Sequence, residues 1–592
     1  MSQKTMRRGG GFLIEETPFE EVQTPEDFSQ ETQLLAQTCR DFVNQEVLPV
    51  MERLEEREEG LMPSLLKKAG EIGLLAVDVP EAFGGLGAPK TQSMVVAESI
   101  AAGGSFPVAH GAQTGIGTLP IVYFGTPEQK QEWLPKLATG EIITAYALTE
   151  AGSGSDALAA KSTAVLDGDQ WVLNGEKLYI TNGGFCDVVI VFAKVDGEQF
   201  SAFIVPMDTP GVSPGAEEHK MGIKGSSTTS IVMQDARIPK ANLLGEVGKG
   251  HIIAFNILNV GRFKLGAAVT GAAKEALEKT LGYVSERKQF NKALSEFPLT
   301  QNKLGTMAAR IFAAESAVYR TAGLFDEAIS TLDKSAPDFD RKVIGAIDDY
   351  SIECSIIKVF ASEVLSYVVD EMVQLYGGYG FVEDYPAARY YRDARINRIF
   401  EGTNEINRML IPGMILKRAM KGELPLLAAA KGIQDELLSI PSLEEEGEEG
   451  AFAAELRQVG KLKKAVLLVA GVAAQKLGTK LQEEQEVLVH AADMIMETYA
   501  LESAILRAQK MVSKGTSIPM VEAMVSVLLS DTVERVGRAG RAALTRVAAG
   551  DELGMMLVGL RRFTKVPQTD TIAAARAAAQ VLLEHGSYRV PA

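Results

Sequence analysis

About a hundred residues in the middle of this chain break the pattern on both sides of them. From about 145 to 245 the segments are short, β-branched and alternating, whereas both flanks repeat apolar residues every three and four positions. "STAVLDGDQWVLNG" reads as strand, Asp-Gly turn, strand, and "DVVIVFAKVDGEQFSAFIVP" repeats that plan. Helices, then strands, then helices is not an alternating βαβ order. It predicts a mainly α protein with a central β domain and argues against a Rossmann core.

The flanks divide further. "ETQLLAQTCRDFVNQEVLPVMERLEE" has helical spacing, and "TPEQKQEWLPKL" opens with Thr126 as a cap and Pro127 at the first helical position. Helical spacing returns at about 250 and lasts to about 420. "SIPSLEEEGEEG" then supplies a proline, glycines and an acid run, the composition of a linker or of a solvated loop. A chain of 592 residues is too long for one core. The expected division is an extension at 1–30, a helical domain at 31–144, a β domain at 145–245 and a helical bundle at 246–438. A linker at 439–450 and a helical domain at 451–592 complete it.

Hydrophobic content of 46% and charged content of 23% read as soluble and globular, and a net charge of -17 argues against nucleic acid as a partner. Cys39, Cys186 and Cys354 lie far apart and the five histidines are scattered, so neither a disulfide framework nor a metal site is expected. The start, "MSQKTMRRGGGFLIEE", lacks the apolar region of a signal peptide, and "AVLLVAGVAAQ" is too short to span a bilayer, so a cytoplasmic protein is expected. Residues 451–592 hold 18 Lys+Arg against 14 Asp+Glu, opposite in sign to the rest. There "ERVGRAGRAALTR" spaces Arg535, Arg538 and Arg541 by three, a stripe that could meet anionic lipid or simply face water.

Five stretches could carry chemistry. "YALTEAGSGSD" (146–156) holds a Gly/Ser turn able to approach a phosphate or a flat polar ring, though such turns are common. In "KLYITNGG", Tyr179 and Thr181 alternate and should share a strand face, where they could border a planar cofactor or be half-buried strand residues. In "ERKQF", Arg287 and Phe290 are three apart and should share a helix face, gripping a nucleotide or facing solvent. "QLYGGYGF" has three glycines after a helical run, for close approach of a ligand or of another helix. In "RIFEGTNE", Glu401 follows two apolar residues and precedes Gly402, while Thr403 or Asn404 can cap the next helix. An acid placed there can serve the helix end or take a proton.

Taken together and in this order, the five stretches resemble the acyl-CoA dehydrogenase family over about residues 35–420. The helical extension and "MGIKGSSTTSIVMQDARIPKANLLGEVGKG" resemble its very-long-chain subgroup. The resemblance implies FAD as cofactor. Tyr146, Leu148, Thr149, Gly154 and Ser155 would border the flavin, with Tyr179 and Thr181 against its ring, where many relatives carry tryptophan in place of Tyr179. Thr403 and Glu405 complete that set. Arg287, Phe290, Gln374, Gly377 and Gly378 would hold the adenine and pyrophosphate end of a neighbouring subunit's FAD. Ser155, Arg262 and Gly402 would meet the acyl-CoA substrate, and Glu401 would be the catalytic base.

The implied reaction removes the α-proton of a thioester by Glu401 and sends the β-hydrogen to the flavin as hydride. The carbonyl oxygen would meet the backbone N–H of Glu401 and a flavin ribityl hydroxyl. Phe400 would help to desolvate the acid. Val108 and Ala112, small and one turn apart, would leave depth for long acyl chains. The implied partners are an electron-transfer flavoprotein and a second subunit in a dimer capped by the C-terminal domain. Peripheral membrane contact through the arginine stripe is a further expectation. An acyl-CoA oxidase, or a flavin-bound assembly protein of the same fold, would share most of these motifs.

Overall fold

The computed structural model describes residues 7–438, 450–566 and 568–590. The expected linker at 439–450 lies, but for Gly450, outside the described residues. The order of textures is the order of the architecture. Short helices run to Pro127–Thr139, an eight-stranded sheet spans Thr144–Ala147 to Leu243–Leu244, and long helices follow.

The sheet forms where the sequence alternates. Thr163–Asp167 pairs antiparallel with Gln170–Thr181 across Gly168, and Val188–Val195 pairs with Gln199–Pro206 across Asp196 and Gly197. Asp196 and Gly197 both have positive φ, the requirement of a tight hairpin turn. Strand Val188–Val195 is buried at all but one position because the sheet is covered on both faces.

Behind the sheet stands the bundle. Its axis is the helix Gly250–Glu286, apolar and long enough to cross a membrane by length and composition, yet 61% of its most apolar window is buried in the protein. It packs on Ser351–Tyr376 and Pro298–Ser330. The helices Gln485–Ser513, Pro519–Val547 and Thr571–His585 of the C-terminal domain pack on the same bundle. The junction between them is ionic. Arg320 donates to Glu502 at 2.9 Å, and Arg507 donates to Glu315 at 2.7 Å and to Glu26 at 3.0 Å.

Glu26 belongs to the N-terminal extension, which is therefore a strap. Its Gly10 N–H donates to Glu353, Arg418 holds the carbonyl of Gly9, and Asp27 pairs with Lys510 and Lys514. Alternation and helical spacing do not reveal such a segment, because its structure comes from partners hundreds of residues away.

Candidate active site

Glu401 sits in a turn that no ordinary residue adopts without cost. Its φ is +58° and that of Gly402 is +78°, so two successive residues are left-handed. For Gly402 this is free; for Glu401 it costs on the order of 1 kcal/mol and needs external support. Three buried side chains supply it. Arg262 Nε donates to the Glu401 carbonyl at 3.1 Å, and Asn407 Nδ2 donates to the carbonyls of Glu401, Gly402 and Thr403 at 3.3, 2.9 and 3.1 Å. Lys358 Nζ donates to the Gly402 carbonyl at 2.8 Å and to Asn404 Oδ1 at 2.7 Å. Thr403 caps the helix Asn404–Met420, its hydroxyl accepting from Ile406 N–H at 3.2 Å.

The carboxylate itself points into a channel. Its Oε2 is buried and has no hydrogen-bond partner among the described residues. Burial pushes the Glu401 carboxyl up to about 7, partly offset by the positive Arg262 and Lys358. Burial also brings Lys358 down to about 7, opposed by Glu401. A carboxyl with one buried oxygen free of hydrogen bonds among the described residues, poised near neutrality in a largely apolar pocket, is equipped to take a proton.

The channel has a volume of about 200 Å³ and runs between Gly250–Glu286, Lys90–Ser99, the helical segment 106–117 and the segment 389–401. Val108, Ala112, Thr181, Phe400 and Glu401 all line it, so residues predicted from three separate stretches converge. Gly261 lines it too. A Cβ there would lie 2.4 Å from Glu401 Oε2, so the missing side chain is what gives the carboxylate its place. Gly261→Ala is expected to displace the carboxylate and slow substrate-dependent flavin reduction by about 100-fold, the effect of a misplacement of roughly 1 Å. Stopped-flow absorbance at saturating substrate checks it; an unchanged rate would show that the carboxylate does not need this space.

Other expectations meet the structure differently. Arg262 is buried and does not line the channel; its polar contacts are the Glu401 carbonyl and Asn259, so it positions the turn. Arg287 and Phe290 do not share a helix face. The helix ends at Glu286, Arg287 is its cap, and Phe290 with Asn291 forms the positive-φ turn of a small hairpin, Lys288–Gln289 with Lys292–Ala293. The spacing of three was therefore a spacing across a helix end. Tyr179 and Thr181 do not follow simple alternation either, because a bulge between Lys177 and Ile180 puts Tyr179 at φ +60°. Thr181 faces the channel, whereas Tyr179 is 64% exposed.

The three glycines divide. A Cβ on Gly380 would strike the Val373 carbonyl at 2.5 Å, which is close packing, while one on Gly377 or Gly378 would meet nothing within 4 Å. Arg287 lies over Tyr379 at 5.2 Å, and Tyr283 stacks on Tyr376 at 3.9 Å. Arg287, Phe290, Gln374, Gly377 and Gly378 are all exposed, and the contacts of Arg287 and Tyr283 bring their two segments together. Tyr146 is buried near enough to Glu401 to feel its charge, and its hydroxyl has no partner among the described residues. Leu148 accepts from the buried Lys177 through its carbonyl, and the Thr149 carbonyl accepts from Leu178 N–H. Gly154 and Ser155 lie exposed in the turn, which Glu150 ties to the N–H groups of Lys161 and Ser162. Glu405 stands in the first turn of the capped helix, which lowers its carboxyl through backbone N–H groups.

Sequence reasoning missed Lys358, Asn407 and Gly261. A trace of the first was present: Lys358 is a lone cation in the apolar run "SIIKVFASEVL".

A helical–sheet–helical body that sets a buried carboxylate at the head of a largely apolar channel has the make-up of an enzyme that takes a proton from a substrate bound there. The chain belongs to the acyl-CoA dehydrogenase family. That family's N-terminal domain matches residues 29–141, its middle domain 145–236, and C-terminal domains 248–416 and 461–562. A probable acyl-CoA dehydrogenase of Bacillus subtilis is 48% identical over 99% of both chains. The crystal structure of an acyl-CoA dehydrogenase complexed with FAD from Bacillus anthracis superposes with a TM-score of 0.95, at 50% identity, covering 99% of this chain and all of that one. The short-chain specific acyl-CoA dehydrogenase of Rattus norvegicus mitochondria is 39% identical over 68% of this chain and 93% of its own.

Proposed function

We propose that this chain is an FAD-dependent acyl-CoA dehydrogenase of fatty acid β-oxidation, forming trans-2-enoyl-CoA from long-chain acyl-CoA and passing electrons to an electron-transfer flavoprotein. The observation that carries the reading is the unpaired Glu401 carboxylate at the head of an apolar channel. The residues present fit a flavin. The buried Tyr146 hydroxyl lacks a partner, Thr181 faces the channel, Tyr179 presents an exposed ring, and a side chain at Gly154 would meet open space. FAD, when bound, supplies the hydride acceptor.

The chain's own residues do the rest. Glu401 takes the α-proton at Oε2. Arg262, Asn407 and Lys358 fix the turn, so that the base does not move away as charge develops. Phe400 and the small residues of 106–117 exclude water, which keeps the base near neutrality. Val108 and Ala112 in the wall support acceptance of long chains, and the additional C-terminal domain matched over 461–562 supports the very-long-chain subgroup. The experiment is anaerobic. Purified protein should carry a yellow chromophore that dodecanoyl-CoA bleaches. Absence of flavin absorbance would overturn the function, preference for butyryl-CoA would overturn the chain length, and stoichiometric peroxide under air would favour an oxidase.

The exposed region of Arg287, Phe290, Gln374, Gly377 and Gly378 supports a dimer in which each subunit completes its neighbour's cofactor site. Phe290 and Phe381 are 89% and 87% exposed, more than a free surface favours. Light scattering should report a dimer. The membrane contact rests on less, because Arg535 is ion-paired to Glu497 at 2.9 Å and lies 3.5 Å from Asp531, so Arg538 and Arg541 remain of the stripe. Sedimentation with anionic vesicles at low salt tests it.

A further inference from the structure

Gly261, Leu265, Ala268 and Ala272 form one stripe of the channel wall on the helix Gly250–Glu286. Glu401 stands beside Gly261. At 1.5 Å per residue the stripe extends roughly 16 Å from that base, room for an extended chain of about a dozen carbons. Several contacts fix the far end. Gly271 packs against Ala101 and the Glu98 carbonyl, and Tyr390, also in the wall, feels the charge of Glu275.

Ile223 lies near that end, bonded to Asp393, whose charge Tyr390 also feels. It comes from the sheet domain, lines the channel, is 9% exposed, and has φ +46°. A β-branched residue in the left-handed region is strained, and glycine would remove the strain. The surrounding contacts hold it there. Its N–H donates to Asp393 Oδ1, and its carbonyl accepts from Ser226 N–H at 3.2 Å and Ser226 Oγ at 2.8 Å. Two residues on, Gly225 N–H donates to Ser105 Oγ at 3.0 Å and to Glu55 Oε2 at 3.3 Å. One residue before, the Gly222 backbone lies against Arg392 and Asp393 so closely that a Cβ would be 2.5 Å away. Burial raises the Asp393 carboxyl to about 6, an unfavourable placement for an acid that the bond to Ile223 makes use of.

We infer that Ile223 is the end-stop of the acyl channel: its side chain, held by Asp393 and the Ser105–Gly225 contact, sets the longest acyl group the enzyme accepts. The inference rests on reading this channel as the acyl site. It accounts for a bulky residue at a backbone position suited to glycine, since only a side chain can fill the channel's end.

The test uses the full-length flavin-loaded enzyme with saturated straight-chain acyl-CoA substrates from butyryl to eicosanoyl. Ile223→Gly should move the limit of the kcat/KM profile to longer chains. Each further methylene admitted should raise kcat/KM by about fourfold, so the stearoyl-to-dodecanoyl ratio should rise by about tenfold or more. Ile223→Phe should move the limit the other way. Flavin content and melting temperature verify folding; if Ile223→Gly fails them, Ile223→Phe decides alone. Profiles of unchanged shape, or a loss uniform across chain lengths, would overturn the end-stop. A native enzyme that reduces its flavin with no acyl-CoA would instead overturn the reading of the channel.

Discussion

Glu401→Gln is expected to lower turnover by about 1,000-fold or more while FAD and acyl-CoA still bind, because it removes the base and keeps the shape. The pH profile adds a second signature. With the carboxyl raised to about 7 by burial, the wild-type rate of flavin reduction should climb as pH rises through 7, since only the ionised form takes a proton. The variant should lack that limb. Stability should respond in the opposite sense. A carboxyl whose value is raised in the folded state favours folding while protonated, so its contribution is present below about 4.5 and is lost as pH rises through about 7. Glu401→Gln should therefore be more stable than wild type at pH 8, by on the order of 3 kcal/mol, and equal to it at pH 4. Denaturation of the flavin-free proteins at both values checks this; equal stability at pH 8 would mean that Glu401 is not held near neutrality.

Arg507→Met should be the most destabilising single substitution at the domain junction, by about 3–5 kcal/mol. Arg507 is buried, stacks on Phe312 at 4.5 Å, and joins Glu26 of the N-terminal strap to Glu315 of the bundle. Methionine fills the space but leaves two carboxylates without their common cation. Burial alone would raise Glu315; Arg507 and Lys274 overcome it and hold its carboxyl at about 2. Its contribution is thus present above about 4.5 and is lost as pH falls through 2. The variant should unfold at lower urea, with strap and C-terminal domain becoming protease-sensitive first. Adding Glu26→Gln and Glu315→Gln should restore much of the loss, because neutral polar groups need no counter-charge. A variant with unchanged urea midpoint would show that the junction is held by its apolar contacts alone.

Glu401 stood out through the family resemblance, whereas the sequence by itself determined the order of layers and most hairpin turns. These are local properties. Asp-Gly pairs require left-handed turns, and alternation follows from a two-residue period. Local properties also misled. The three-residue spacing of Arg287 and Phe290 spans a helix end, and the alternation of Tyr179 and Thr181 spans a bulge, because tertiary pairing decides where an element stops. Only the tertiary structure showed what equips Glu401 to take a proton. Its support comes from Arg262, 139 residues away, from Lys358 on another helix, and from an absent side chain at Gly261. No window of sequence contains those residues together. The raised carboxyl, the strained turn and the channel are properties of groups packed in space, set by burial and by distances that linear spacing does not encode.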